Sequence, residues 1–391
     1  MSLDDDIKQA LHRHESDVRA EPGAWRDVER RITRSHRTRA IASSTLAVAA
    51  IAAIAVVVPR LNPSNPAPIV TAPPTDTNQP SPSVSPTQPT TPQLLAKIAV
   101  SASRLAAGGD SIWAIDATGD HGTLIRVDGA SNEVTARIAI GVKPHAVAAT
   151  ADQVWVANDH NVMRIDPSTN KVVATVDVSV PMDIAIGPDD VWVVQASGTG
   201  TTLFRIDPSS NSISAAYPLH PATGLAAVAV GDGYVWVAES DSSHASGSET
   251  WRLQRIDPAT GEAKTVSFDQ FANPMIDVVT SPGAVWVSTT GTTSASAIDR
   301  IDSSTMKVVA RFELPDASPV GGPNAITIGN GYLWAVGSRG QFWKVDIIKN
   351  EPVGNHLNVG EAPPISAPDV VTGFGAVWVA SDDGHIWKFA P

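Results

Sequence analysis

The residues with the clearest chemical potential stand nine positions before seven recurring tryptophans (Trp113, Trp155, Trp192, Trp236, Trp286, Trp334 and Trp378). They are Arg104, Ala146, Asp183, Ala227, Asp277, Ala325 and Asp369. Three carboxylates thus share one position of a repeat, and His145 and Asn324 stand one residue before it in two other units. If that position opens the strand lining a central channel, Asp183, Asp277 and Asp369 meet at a narrow mouth, with Arg104 on the same rim. Like charges gathered there repel. They call for a divalent cation such as calcium or magnesium, for a basic ligand group, or for raised pKa values. The plainer reading has each aspartate cap its own inter-blade turn.

A second group surrounds the longest hairpin loop, Ser240 to Thr250. Glu239 precedes it, and Asp241, His244 and Glu249 lie within it among serines and glycine. The plain reading is a surface loop. Its expected place on the same face as the channel mouth would make it part of a binding surface. No nucleophile–base pair, phosphate loop or metal-ligand motif is legible in the sequence.

The elements that position these residues come from the repeat itself. Each tryptophan sits in a short apolar run, such as Val-Trp-Val-Ala at Trp155, Trp236 and Trp378, and successive tryptophans are 42, 37, 44, 50, 48 and 44 residues apart. A period of roughly 40–50 residues with several strands per unit is the mark of a β-propeller. In one unit, Val147–Ala149 is the first strand, Val154–Ala157 the second, Val162–Asp166 the third and Lys171–Val178 the fourth. The third strand returns as Arg126-Val-Asp128, Arg205-Ile-Asp207, Arg255-Ile-Asp257, Arg300-Ile-Asp302 and Lys344-Val-Asp346. Its Asp is expected to close the following turn through its side chain, with Asn or Gly in the left-handed conformation near the turn's end. Met306 takes that place in the fifth unit and is expected to be strained. The Arg of this strand is read as lying half-exposed beside acidic neighbours, and the tryptophans as core between blades. The last unit stops after its third strand, 385–389, while a lone strand from Leu94 to Val100 matches a fourth. Pairing of the two closes a seven-bladed ring and removes its open edges.

Ahead of the repeats the chain changes character. Residues 1–39 are polar and charge-dense, with helical spacing of Ala24, Trp25, Val28 and Ile32 and a basic cluster of Arg30, Arg31, Arg34, Arg37 and Arg39. Residues 40–58 carry no charge and no proline, and nineteen residues at 1.5 Å rise span about 28 Å, enough for a hydrocarbon core of about 30 Å. The arginine excess on the near side places the N-terminus in the cytoplasm and the propeller outside. Residues 59–93 form a Pro/Ser/Thr-rich linker without apolar periodicity. The net charge of −12 argues against a nucleic-acid surface, and the absence of cysteine excludes disulfides and thiolate metal sites.

Gly-Pro-Asp-Asp-Val-Trp-Val (187–193), Gly-Asp-Gly-Tyr-Val-Trp-Val (231–237) and Gly-Asn-Gly-Tyr-Leu-Trp-Ala (329–335) each precede a strand of the Arg-Ile-Asp type. These phrases resemble bacterial streptogramin-lyase-like and YVTN-type propeller repeats, over about residues 94–391. The resemblance implies an all-β, seven-bladed propeller. Streptogramin lyases use histidines and a glutamate with magnesium at the propeller face. Glu239, in Val-Trp-Val-Ala-Glu, is similar to that family's repeat ending in Glu, with His220 before it and His244 after it. Such repeats serve enzymes and binding proteins alike, so function must be argued from the site. The expectation is a single-pass membrane protein with a monomeric extracytoplasmic propeller that binds, scaffolds or senses. Its ligand would be a cell-surface protein or glycan, with no nucleic acid involved, and residues 1–39 would meet a cytosolic partner. A lyase-like enzyme and a transmembrane regulator are the alternatives.

Overall fold

Runs such as Val-Trp-Val-Ala suit a pleated strand buried on both faces, because β-branched and aromatic side chains pack well there. In the computed structural model of the chain, each such run is the second strand of a four-stranded antiparallel sheet. The structure describes residues 91–118, 121–197, 200–219, 226–241, 250–267, 275–289, 296–314, 322–359 and 368–391. The expected cytoplasmic segment, transmembrane helix and all but the end of the linker lie outside the described residues. Among the described residues no helix is long and apolar enough to cross a membrane.

Seven sheets follow one another as blades. In blade 2 the strands are Pro144–Ala149, Val154–Asn158, Asn161–Asp166 and Lys171–Asp177, hydrogen-bonded in that order. The first strands of the other blades are Arg104–Gly108, Pro181–Ile186, Ala226–Gly231, Met275–Ser281, Pro323–Gly329 and Asp369–Gly373. Each first strand packs beside the next, and the seventh meets the first, so the ring is closed. The closing strand is Leu94–Ile98, which pairs antiparallel with His385–Phe389 on the outer edge of blade 7. Blade 6 differs at its rim, where the fourth strand is split into Glu351–Pro352 and Leu357–Asn358.

Alternation along each strand sends side chains to the two neighbouring blades. In blade 4, Trp236 and Leu253 pack with Val285, Val287 and Ile301 of blade 5. Val235, Val237 and Ile256 face the other way, onto Trp192, Val194 and Leu203 of blade 3. All seven repeat tryptophans are fully buried in this way. They are the core of the blade interfaces, as the sequence suggests, and none lines the channel cavity described below.

The third-strand cation does more than the sequence reading gave it. It lies over the tryptophan of its own blade, from Arg126 on Trp113 at 5.1 Å to Lys388 on Trp378 at 4.5 Å. In every blade but the sixth, whose Lys344 has no such turn before it, the cation then reaches across to the turn of the next blade. Arg126 donates to the Pro167 carbonyl at 2.6 Å and to Asn170 Oδ1 at 3.1 Å. Arg164 does the same to the Pro208 carbonyl and Asn211, and Arg255 to the Ser303 and Ser304 carbonyls. Lys388 closes the ring by donating to the Gly129 carbonyl and Asn132 Oδ1, both at 2.9 Å. The half-exposed arginine beside acidic neighbours is found in blades 1 and 3, where Arg126 meets Asp110 at 2.8 Å and Arg205 meets Asp190 at 2.6 Å; the donation across blades adds to it, since a planar donor fork on a flexible stem can satisfy a turn that its own strand does not touch.

In blades 1 to 6 the receiving turn is built by the Asp at the end of the third strand. Asp128 Oδ1 accepts from the Ser131 N–H at 2.7 Å, and Asp207 Oδ1 from the Ser209 N–H at 2.8 Å. Asn132, Asn170, Asn211 and Asn350 have positive φ, which aims each amide at the neighbouring cation. Met306 also sits at φ 57°. Its side chain is buried between blades 4 and 5, so packing there offsets the backbone strain.

These contacts make a prediction. Arg164→Met keeps the stem that covers Trp155 but leaves the Pro208 carbonyl without its donor. Hydrogen bonds to a charged group contribute about 1.5–3 kcal/mol, so urea unfolding should show a loss of about 2 kcal/mol. A loss below about 0.5 kcal/mol, the level of an ordinary surface substitution, would mean that the clasp is not structural.

Candidate functional site

An antiparallel pair leaves alternate N–H groups of each strand pointing away from its partner. On a first strand, those groups face the channel. The residue after the repeat position is one of them: Leu105, Val147, Ile184, Val228, Val278, Ile326 and Val370. All seven stand in the same register, each opposite the residue that follows the tryptophan.

The three aspartates are placed to meet these N–H groups. Asp183 accepts from the Ile184 N–H of its own strand and from the Val228 N–H of blade 4, both at 2.9 Å. Asp277 accepts from Val278 at 2.8 Å and from Ile326 of blade 6 at 2.9 Å. Asp369 accepts from Val370 at 2.8 Å and from Leu105 of blade 1 at 2.7 Å. One carboxylate thus clamps two neighbouring first strands at the channel mouth. At the other end of the strands blades 5 and 7 reach back: Thr280 Oγ1 donates to the Val230 carbonyl at 3.0 Å and Thr372 Oγ1 to the Ile328 carbonyl at 3.1 Å. Gly231 and Gly329 give these threonines room, since a Cβ at either would collide with the threonine side chain. Blades 4 to 7 therefore alternate between an Ala-x-x-x-Gly type and an Asp-x-x-Thr type, while blade 3 has Ile186 in the threonine's place.

Each carboxylate keeps some surface on the channel, yet dense protein surrounds it. Lost hydration outweighs the N–H bonds and raises all three pKa values, Asp277 to about 7 and Asp183 to about 6. Asp277 also feels the charges of Asp183 and Asp369. Arg104 opposes the rise at Asp183 and Asp369.

Around this ring lies a cavity of about 470 Å³. Arg104, Asp183, Asp277, Asn324 and Asp369 line it, together with the apolar Met182, Ile184 and Ile326 among others. Arg104 is the one cation among its described lining residues, and its guanidinium donates to the Ser103 carbonyl at 2.8 Å.

The other expected site residues do not converge here. His145 is held by Asp159 Oδ1 at 2.7 Å, and Lys143 reaches the same carboxylate at 3.4 Å, so the imidazole is not part of the cavity lining. Glu239 is buried in blade 4, where its Oε1 accepts from Gln254 at 2.7 Å. Asp241 ends the second strand of blade 4, and His244 and His220 lie outside the described residues. As for a cation on the three aspartates, no group of three or more His, Cys, Asp or Glu side chains arranged to hold a metal ion occurs among the described residues. The repulsion expected between the carboxylates is met by backbone N–H groups and by burial that favours the neutral form.

Strand order, ring closure and the channel cavity define the chain as a seven-bladed β-propeller. A protein-family profile described as a repeat of unknown function (DUF6923) matches residues 182–297, within blades 3 to 5. No curated protein matches the chain. Among solved structures, hydrazine synthase of Kuenenia stuttgartiensis is similar with a TM-score of 0.64 at 14% identity, over 79% of this chain and 99% of that one. At that identity the likeness speaks for the fold.

The raised pKa values give a signed prediction. Between about pH 4 and pH 7 the folded state holds protons on Asp277 and Asp183 that the unfolded chain has released. Folding stability therefore falls as pH rises through that window. The turn aspartates act in the opposite sense: Asp302, held at about 2 by Ser304 and Thr305, gives support that is lost below about pH 4. Thermal melts from pH 5 to 8 should show Tm declining in the native chain and a shallower decline in Asp277→Asn. Equal slopes in the two proteins would contradict the assignment.

Proposed function

We propose that this chain is a membrane-anchored, extracytoplasmic propeller that serves as a non-catalytic binding, scaffold or sensing module, with its ligand at the channel mouth. The observation that carries this reading is the cavity at the first-strand ring. A concave site with apolar walls and a few convergent polar groups is the usual form of a small-ligand pocket. Here the polar groups are Arg104, Asn324 and the three aspartates. The described lining residues include no serine, threonine, cysteine, lysine, tyrosine or histidine, and each lining aspartate is engaged by two backbone N–H groups as a clamp between strands. Glu239, the residue that most resembles a lyase glutamate, is spent inside blade 4 on Gln254. The binding reading is therefore preferred to the streptogramin-lyase-like one.

Membrane anchoring rests on the sequence of residues 1–60. The uncharged stretch 40–58 spans the bilayer, the arginine cluster keeps residues 1–39 in the cytoplasm, and the proline-rich linker holds the propeller away from the surface. In this arrangement the propeller is monomeric and meets a cell-surface protein or glycan, and residues 1–39 carry any signal to a cytosolic partner.

A thermal-shift screen of small polar molecules (amino acids, sugars, short carboxylates and divalent cations) on the full chain tests the site. At least one class should raise Tm in the native protein and fail to do so in the Arg104→Met/Asn324→Leu double variant. Hits that stabilise both proteins equally would place the ligand elsewhere.

A further inference from the structure

The ring of channel-facing N–H groups has seven members, and three carboxylates that take two each leave one over. In six blades the N–H is met by the aspartate of its own strand or of the preceding blade. For Val147 of blade 2, those two positions hold Ala146 and Arg104. Alanine has no acceptor, and a guanidinium is itself a donor. The remainder follows from arithmetic. An alternation with a period of two blades cannot close on seven, so two blades of one kind must meet once. Here two blades without the aspartate meet, blades 1 and 2, and blade 2 carries Ala146 and Ala149 where Asp277 and Thr280 stand in blade 5.

We propose that the sector between Arg104 and Val147 binds the carboxylate of a small-molecule ligand, which takes the place of the missing fourth aspartate. This deepens the channel-mouth reading and rests on it. Three features support the chemistry. The neighbouring sites show that a carboxylate fits this register, accepting from strand N–H groups at 2.7 to 2.9 Å. The two groups facing the gap are both donors, and the cavity's described lining has its one positive charge there. Both Arg104 and Val147 line the cavity, so a ligand in it reaches them without rearrangement. A planar guanidinium beside a backbone N–H suits an acceptor-only oxyanion, because every hydrogen bond formed is charge-assisted. The resident carboxylates do not forbid a further anion, since each is already bound by two N–H groups and burial favours its neutral form. The apolar walls formed by Met182, Ile184 and Ile326 would then receive the body of the ligand.

The test uses the full chain labelled with 15N-valine and read by amide NMR, because four of the seven ring amides belong to valines: Val147, Val228, Val278 and Val370. Acetate is titrated at constant ionic strength against chloride, with acetamide as the neutral isostere. The proposal requires a saturable downfield shift of the Val147 amide with acetate. That shift should vanish in Ala146→Asp, which supplies the carboxylate from the chain. It should need about tenfold more acetate in Arg104→Gln, the loss of one charge-assisted contact. A Val147 amide that ignores acetate, or a shift that persists unchanged in both variants, overturns the proposal. If acetamide moves the other mouth valines while acetate leaves Val147 unmoved, the mouth remains a binding site and the carboxylate assignment alone fails. If neither compound moves any mouth valine, the channel-mouth reading fails with it.

Discussion

A closed ring of seven first strands turns seven backbone N–H groups toward a narrow channel, and each must find an acceptor where water is scarce. Most of the site follows from that requirement. A carboxylate at the start of a strand serves its own blade and the next, so three suffice for six N–H groups. The cost appears in the raised pKa values of Asp183, Asp277 and Asp369, which lose more hydration than two N–H bonds restore. An odd number of blades then guarantees one exception. The exception lies beside Arg104, the one cation among the described lining residues, and this coincidence gives the ring a chemically distinct sector.

The outer part of each blade solves a different problem. Flat sheets stacked around an axis need contacts that hold neighbours in register, and apolar packing alone is non-directional. The third-strand cation supplies direction by covering its own tryptophan and, in all blades but the sixth, donating into the next blade's turn. The same turn depends on an aspartate that organises its N–H groups and an asparagine that presents its amide at positive φ. Met306 shows the trade. It forgoes the amide acceptor, so Arg255 takes the Ser304 carbonyl beside the usual first turn carbonyl, that of Ser303, and it fills the interface with a buried thioether.

Much of this architecture was legible in the sequence because it repeats. The spacing of Trp113 to Trp378 marks the blades, and the Arg-Ile-Asp strand with its Asp-initiated turn marks their outer halves. The pairing of Leu94–Ile98 with His385–Phe389 could be read from a missing fourth strand. Alignment on the tryptophans also brought Asp183, Asp277 and Asp369 to one ring. What they do there was not legible, since their partners are backbone N–H groups that carry no side-chain signature. His145 illustrates the same limit. It lies one residue from the ring position, but whether it turns to the channel or to Asp159 depends on where the 158–161 hairpin sits. Thr280 and Thr372, three residues after their aspartates, were visible in the sequence and had meaning only once Gly231 and Gly329 were seen beneath them. Glu239 looked like a site residue by resemblance, yet its place on the second strand turns it into the blade interior.

The central claim is that six ring amides are acceptor-bound by three carboxylates and the seventh is not. Native-state hydrogen exchange of Leu105, Val147, Ile184, Val228, Val278, Ile326 and Val370 measures it most directly. The account predicts strong protection at six of these amides and markedly faster exchange at Val147. Equal protection at all seven, or exchange at the six as fast as at Val147, would contradict it.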